Sequence, residues 1–112
     1  MPLESQKLLF NFAKATRLIQ KFINIKSYNE YESDDLFRSG VERQFEIIGE
    51  ARNALSKIDR TAVEKISEYP RIVSFRNILI HGYAEIDDRL VWNVIETKLP
   101  TLVEEVNNLL AD

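Results

Sequence analysis

Apolar residues recur at spacings of three and four along most of the chain, which is the period of an amphipathic helix. The first such stretch predicts a helix of about six turns. Its inward positions are Leu8, Leu9, Phe12, Thr16, Ile19 and Ile23. Residues 24–34 are polar, show no apolar period and are predicted to form a connection.

A second long helix is predicted next, with Ser33 or Asp34 as its N-cap, because either side chain can accept a hydrogen bond from a first-turn amide. Its inward stripe is Phe37, Val41, Phe45, Ile48, Ala51, Leu55 and Ile58. Asp59 is suited to cap a short third helix that ends before Pro70.

The remaining pattern predicts a fourth short helix over residues 72–81, followed by Gly82 as its C′ residue. Asp87 or Asp88 then caps a last helix, which Pro100 is expected to kink or split. The inward positions of this helix are Val91, Ile95, Leu99, Leu102, Val106 and Leu109. No stretch alternates cleanly enough for a strand. The predicted fold is an all-α, up-and-down bundle of long helices with short helices before the last.

The second long helix carries another face, with small, aliphatic and charged residues at spacings of three and four. Its members are Gly40, Arg43, Ile47, Glu50 and Ala54. Such a face suits close packing against a helix of a second copy of the chain. It could equally pack within the monomer, with Arg43 and Glu50 at the rim, and the sequence leaves both alternatives open.

The composition is that of an ordinary globular protein, and the 112 residues predict a single domain, 1–112. The absence of cysteine excludes disulfides, thiolate catalysis and thiolate metal sites, and it fits a reducing cytoplasm. The N-terminus lacks the features of a secretory signal. No apolar stretch approaches the roughly 20 residues that span a bilayer. We therefore expect a cytoplasmic protein without a membrane anchor.

The net charge of −3 argues against general affinity for nucleic acid, but the charge is unevenly distributed. Within residues 1–26, Glu4 is the only acid and five bases are present. These bases are Lys7, Lys14, Arg17, Lys21 and Lys26. Residues 84–112 carry seven acids and two bases. A basic face beside an acidic tail is one interpretation, and an ordinary solvated helix surface is the other.

The only histidine, His81, follows Arg76 by five positions and precedes Tyr83 by two. On a helix, Arg76 and His81 would be about 140° apart and would not share a face. Asn77 and His81 would share one, so Asn77 could hydrogen-bond one ring nitrogen and leave the other free. The helix C-terminus would favour the charged imidazolium.

An arginine and a histidine together suit phosphodiester chemistry. Arginine offers paired donors to phosphate oxygens, and histidine can take or deliver a proton near neutral pH. RNA also carries a 2′-hydroxyl that can attack the neighbouring phosphate without a metal. The alternative is a structural histidine near a helix end. No metal-ligand spacing or cofactor-binding motif is present, so we expect no metal and no cofactor.

The pattern Arg-x-x-x-x-His-x-Tyr at Arg76, His81 and Tyr83 resembles the motif of the HEPN superfamily. Residues 45–51 and 75–83, together with Val91-Trp92 and Leu99-Pro100, are similar to signatures of its HepT-like toxins. The resemblance covers about residues 30–112, and the order of the signatures is more specific than the motif alone.

The resemblance implies a toxin of a type VII-like toxin–antitoxin pair that cleaves RNA, with tRNA as the family-level substrate, without a metal. It also implies a homodimer in which two copies of Arg76 and His81 meet in one cleft, supported by Asn77. The implied partner is a minimal nucleotidyltransferase antitoxin (MntA-like), which transfers AMP to Tyr83 and forms a higher assembly with the toxin.

Two other functions remain open on the sequence. The chain could be a non-catalytic helical accessory or substrate-binding subunit of a minimal nucleotidyltransferase. It could also be a dimeric scaffold without activity.

Overall fold

The computed structural model describes residues 2–67 and 88–111, and for Asp88 only the backbone. This part of the chain contains helices and no strand. The helices are α1 (Leu3–Ile23), α2 (Tyr28–Ser33), α3 (Asp35–Ile58), α4 (Arg60–Glu64), α5 (Asp88–Thr97) and α6 (Leu99–Ala111). The all-α prediction is confirmed.

The long helix α1 packs mainly against α3 and also against α6, while the short helix α2 contacts α3 and α5. One apolar core joins all six helices. The side chains with no exposed surface in this core include Leu9, Ile19, Tyr31, Val41, Ile48, Val91, Leu102 and Val106. The predicted inward positions of the last helical region are all buried, and those of α1 are buried except Leu8 and Ile23, which are half-buried.

The connection predicted over residues 24–34 is wrong, because this segment contains helix α2. A capping box begins the helix. The Ser27 hydroxyl accepts a hydrogen bond from the Glu30 amide, and the Glu30 carboxylate accepts one from the Ser27 amide, each at 3.2 Å. Tyr31 is fully buried, and its ring centroid lies 5.4 Å from those of both Phe37 and Trp92. Tyr31 is the only buried residue of this short helix, so the segment shows no apolar period.

Asp34 is the N-cap of helix α3, as predicted, since its carboxylate accepts a hydrogen bond from the Phe37 amide at 3.0 Å. Its predicted stripe is buried except at the two ends. Phe37 is half-buried, and Ile58 is 51% exposed, so its inward assignment is wrong. Ile58 is the last residue of α3, where the chain turns into α4. Asp59 caps α4 as expected, by accepting the Ala62 amide at 3.1 Å.

Pro100 splits the last predicted helix into α5 and α6, with Lys98 between them. Pro100 lies in the first turn of α6, where its missing N–H costs no intrahelical hydrogen bond. The fourth short helix, Gly82 and Asp87 lie outside the described residues.

Candidate functional site

The four residues of the predicted motif, Arg76, Asn77, His81 and Tyr83, lie outside the described residues. Their roles therefore stay predictions. The structure does describe the chain on both sides of the segment 68–87, and these two flanks determine where the two ends of the segment lie.

The first flank is held by a buried arginine. Arg52 lies in the middle of α3 and is only 1% exposed. Its Nη2 donates hydrogen bonds to the carbonyl oxygens of Val63 at 3.4 Å and Ile66 at 3.2 Å. These carbonyls belong to the end of α4 and the turn after it. The guanidinium therefore ties the chain that leads into residues 68–87 to the middle of α3.

Ser67, the last described residue before the segment, is held by α6. Oε1 of the Glu105 carboxylate accepts a hydrogen bond from the Ser67 amide at 2.9 Å, and Oε2 accepts one from the Ser67 hydroxyl. Hydrogen bonds to a charged acceptor are stronger than those between neutral groups. A single carboxylate thus fixes both the backbone and the side chain at this point.

The second flank is held by aromatic packing at the start of α5. Trp92 is 8% exposed and packs against Tyr31, and the Tyr28 ring meets it edge-on with the centroids 6.3 Å apart. The Arg89 guanidinium carbon lies 3.9 Å from the centre of the Tyr28 ring, within the range of a cation–π interaction. Helix α2, which the sequence did not predict, supplies both tyrosines.

Neither flank was identified from the sequence. Arg52 had a detectable signal, because it follows Ile48 by four positions and precedes Leu55 by three, so it falls within the buried stripe of α3. An arginine in such a stripe must find hydrogen-bond acceptors in the interior. Glu105 had no signal, since its partner Ser67 is 38 residues away.

The second face of α3 is only partly covered within the chain. Gly40 is half-buried, and a Cβ at this position would lie 3.5 Å from Cε2 of Phe22 on α1. Ile47 and Ala54 are half-buried as well. Gly40 thus packs within the monomer, whereas part of the face remains accessible.

The charges of this face pair with each other. Arg43 lies 3.1 Å from the Glu46 carboxylate and 3.7 Å from the Glu50 carboxylate. The face also extends beyond its predicted ends, because Leu36 is 84% exposed and Ile58 is 51% exposed. With Gly40, Ile47 and Ala54, these residues form an apolar seam along the whole of α3, which we call the α3 seam.

The helical bundle and the motif between α4 and α5 together indicate a protein of the HEPN class. The chain matches the family described as ribonuclease HepT-like over residues 12–109, and it belongs to that family. The match includes α3 and the complete motif from Arg76 to Tyr83.

Similar proteins occur in archaea and bacteria. A candidate RNase of Methanocaldococcus jannaschii is 33% identical over 100 residues, covering 88% of this chain and 89% of the relative. A candidate RNase of Caldanaerobacter subterraneus is 34% identical over 86 residues, covering 75% and 74%. A candidate ribonuclease HepT of Thermococcus cleftensis is 28% identical over 94 residues, covering 84% of each chain. No solved structure matches the chain significantly.

These findings support ribonuclease activity and RNA as the substrate. Among the described residues, no helix is long and apolar enough to cross a membrane. The same part of the chain has no group of three or more His, Cys, Asp or Glu residues that could hold a metal ion.

Proposed function

We propose that this protein is the toxin of a toxin–antitoxin pair and an endoribonuclease that needs no metal, with Arg76 and His81 as its catalytic residues. The observation that carries the proposal is the family match over residues 12–109, which contains Arg76 and His81 at the motif spacing. Transfer RNA is the substrate that we would test first.

In the proposed reaction, the RNA 2′-oxygen attacks the adjacent phosphorus as the bond from phosphorus to the 5′-oxygen breaks. His81 takes the proton of the 2′-hydroxyl, and His81 of the second copy delivers a proton to the leaving 5′-oxygen. Arg76 donates two hydrogen bonds to the phosphate oxygens, whose charge rises in the transition state. The products are a 2′,3′-cyclic phosphate and a 5′-hydroxyl.

The test is cleavage of tRNA in the presence of EDTA. We expect His81→Ala to lower kcat/KM at least about a hundredfold, which is the contribution of one general acid–base group. Arg76→Ala should lower it by a similar factor, because a donor to the charge that develops in the transition state is lost. Arg76→Lys should recover only part of the activity, because a point charge cannot replace the two-donor fork. Arg60→Ala is the matched control, since its exposed side chain makes only a 4.0 Å ion pair with Glu64.

Two results would contradict the proposal. One is unchanged cleavage by His81→Ala. The other is wild-type protein that binds a minimal nucleotidyltransferase but cuts no RNA, with or without Mg²⁺. The second result would favour the role of a non-catalytic accessory subunit.

The proposed dimer places the α3 seam against the same seam of a second copy, in an interface with twofold symmetry. Its support is the exposed apolar surface at Leu36, Ile47 and Ile58, which a folded monomer leaves in water. We expect Ile47→Asp to give a monomer without ribonuclease activity. Ile25→Asp is the control, since Ile25 is 94% exposed and lies outside the seam. An active, dimeric Ile47→Asp protein would exclude this interface.

We further propose that Tyr83 is the residue through which an antitoxin nucleotidyltransferase silences the toxin. The Tyr83 oxygen would attack the α-phosphorus of ATP, and pyrophosphate would leave as the Tyr–AMP bond forms. Each AMP adds negative charge beside a cleft that binds an anion, so RNA binding should weaken.

The described tyrosines are poorer acceptors than an accessible phenol would be. Tyr31 is fully buried, and the Tyr28 hydroxyl donates a 3.0 Å hydrogen bond to the Glu32 carboxylate. After incubation with the nucleotidyltransferase, ATP and Mg²⁺, mass spectrometry should find AMP on Tyr83 and none on the Tyr83→Phe variant. That variant should remain folded and retain at least part of its cleavage activity. AMP on Tyr28, Tyr31 or Tyr69 would show that the acceptor is misassigned.

A further inference from the structure

Helix α1 presents to solvent a row of cations around one aromatic ring, which we call the α1 basic face. At 100° per residue, its five members fall within an arc of about 80°. They are Lys7, Phe10, Lys14, Arg17 and Lys21. Each of the five is exposed, and Phe10 leaves 55% of its surface in water. The lysines repeat every seven residues, which places them about 10 Å apart along the helix axis.

The four cations of this face have no acidic partner in the part of the chain that the structure describes. Some bases elsewhere in the bundle do have one: Lys26 pairs with Glu30 at 3.5 Å, and Arg43 pairs with Glu46. On α1 the only acid is Glu4, so four bases and one acid give the helix a net charge of +3, in a chain whose net charge is −3. Four positive charges thus stand together on one face of α1, without an acidic partner among the described residues.

A groove between α1 and α3 adjoins the cations. Asn11, Lys14 and Leu18 of α1 line it on one side, and Gln44 and Ile47 of α3 line it on the other, so the groove borders the α3 seam at Ile47. The two amides add neutral donors and acceptors next to Lys14. Cations that track a backbone, an exposed ring and neighbouring amides are the features of surfaces that bind single-stranded nucleic acid.

The exposed ring favours RNA over an acidic protein as the occupant of this face. Every base offers a flat surface that can stack on Phe10 while the flanking phosphates reach the lysines. An acidic peptide would satisfy the cations, but it would leave the ring in water. The repeated, unpaired charges also suit a polyanion, whose binding is driven by the release of its counterions.

We propose that the α1 basic face is a docking site for single-stranded RNA, outside the Arg76/His81 motif, with Phe10 stacking on a base. The inference rests on the proposed function only in taking RNA as the substrate. The face holds the substrate strand and leaves bond cleavage to the motif, so it governs KM rather than kcat.

The binding test uses a fluorescent, fully 2′-O-methylated RNA 20-mer, which the enzyme cannot cut because it has no 2′-hydroxyl. The triple variant Lys7→Gln, Lys14→Gln, Lys21→Gln should raise Kd at least about tenfold at 0.1 M salt. It should also lower the slope of log Kd against log salt by about 2, at roughly 0.7 for each phosphate that a lysine no longer neutralises. The matched control is Lys26→Gln, Lys57→Gln, Lys65→Gln, which removes the same charge elsewhere and should change Kd less than about twofold.

Phe10 is tested separately, because the energy of base stacking does not depend on salt concentration, whereas the attraction between lysines and phosphates does. Phe10→Ser should raise Kd about tenfold and leave the salt slope unchanged, and Phe10→Trp should restore binding. A circular dichroism melt verifies that each variant is folded, as expected for substitutions at exposed positions.

Cleavage of unmodified RNA separates this proposal from the ribonuclease proposal. The α1 triple variant should raise KM and keep kcat within about twofold of wild type. If wild type binds the 20-mer through this face but cuts no RNA, the ribonuclease proposal fails and the docking site stands. If the two triple variants bind RNA equally, or if polyglutamate binds this face and RNA does not, the docking proposal is overturned.

Discussion

Replacing Gly40 by alanine tests whether this position packs only within one chain, against Phe22, or also contacts a helix of a second copy. Gly40 lies in the interior of α3, where glycine is about 1 kcal/mol less favourable than alanine. The new Cβ would lie 3.5 Å from Cε2 and 3.8 Å from Cδ2 of Phe22, which are ordinary van der Waals distances. The methyl group therefore fits without displacing the ring, and its packing against Phe22 adds a few tenths of a kcal/mol.

Gly40→Ala should raise the free energy of unfolding by about 1 to 1.5 kcal/mol, from helix propensity and the added packing. Tm should rise by roughly 4–8 °C, as expected for a domain of about this size. The measurements are urea denaturation and thermal melts followed by circular dichroism at low protein concentration. Ala54→Gly, on the same face of α3, is the control and should lower the stability by about 1 kcal/mol.

The same variant separates the two alternatives for the α3 face. If Gly40 serves only the monomer, sedimentation velocity should show an unchanged dimer. If a partner helix approaches Gly40 closely, the methyl should weaken the dimer while the monomer becomes more stable. Destabilisation of the monomer by about 1 kcal/mol or more would refute the packing argument, because it would mean that Phe22 cannot accommodate a Cβ.

Three further predictions concern the bundle. Arg52→Leu should lower the free energy of unfolding by about 2–4 kcal/mol, because the buried hydrogen bonds from its guanidinium to the Val63 and Ile66 carbonyls are lost; a urea midpoint like that of wild type would contradict this. Trp92→Ala should cost about 3–5 kcal/mol in the same assay, unless Tyr28 and Tyr31 close the cavity. The Ser27 amide, as the largest cause, lowers the pKa of Glu30 below its ordinary value of 4.5. The hydrogen bond from the Ser27 amide to the Glu30 carboxylate should therefore contribute fully above pH 4.5 and be lost as the pH falls through the lowered pKa, which an NMR titration of the Glu30 carboxyl checks.

The long helices could be predicted from the sequence because each buries a continuous stripe. Asp34 and Asp59 likewise act as caps through local hydrogen bonds that depend only on nearby residues. Helix α2 was missed for the opposite reason: it is one turn and a half long, and Tyr31 is its only buried residue. The Ser-x-x-Glu pattern of a capping box at Ser27 and Glu30 was the available signal.

The candidate site could be predicted only as a pattern. Arg76, His81 and Tyr83 were identified by their spacing and by the family resemblance, and the spacing alone does not determine how close their side chains lie. The contacts that hold the residues flanking the motif segment were not predictable. Ser67 and Glu105, for example, are brought together by the packing of helices far apart in sequence. Ile58 was misassigned because the periodic stripe does not show that the chain turns into α4 directly after this residue.

The supports on either side of residues 68–87 also bear on how this protein can vary. Arg52 and Glu105 secure the chain before the segment, and Trp92 secures it afterwards, so the bundle itself determines where the two ends of the segment lie. Relatives could therefore exchange or lengthen the stretch that carries the motif while keeping the same helical framework, and substrate preference could diverge faster than the fold.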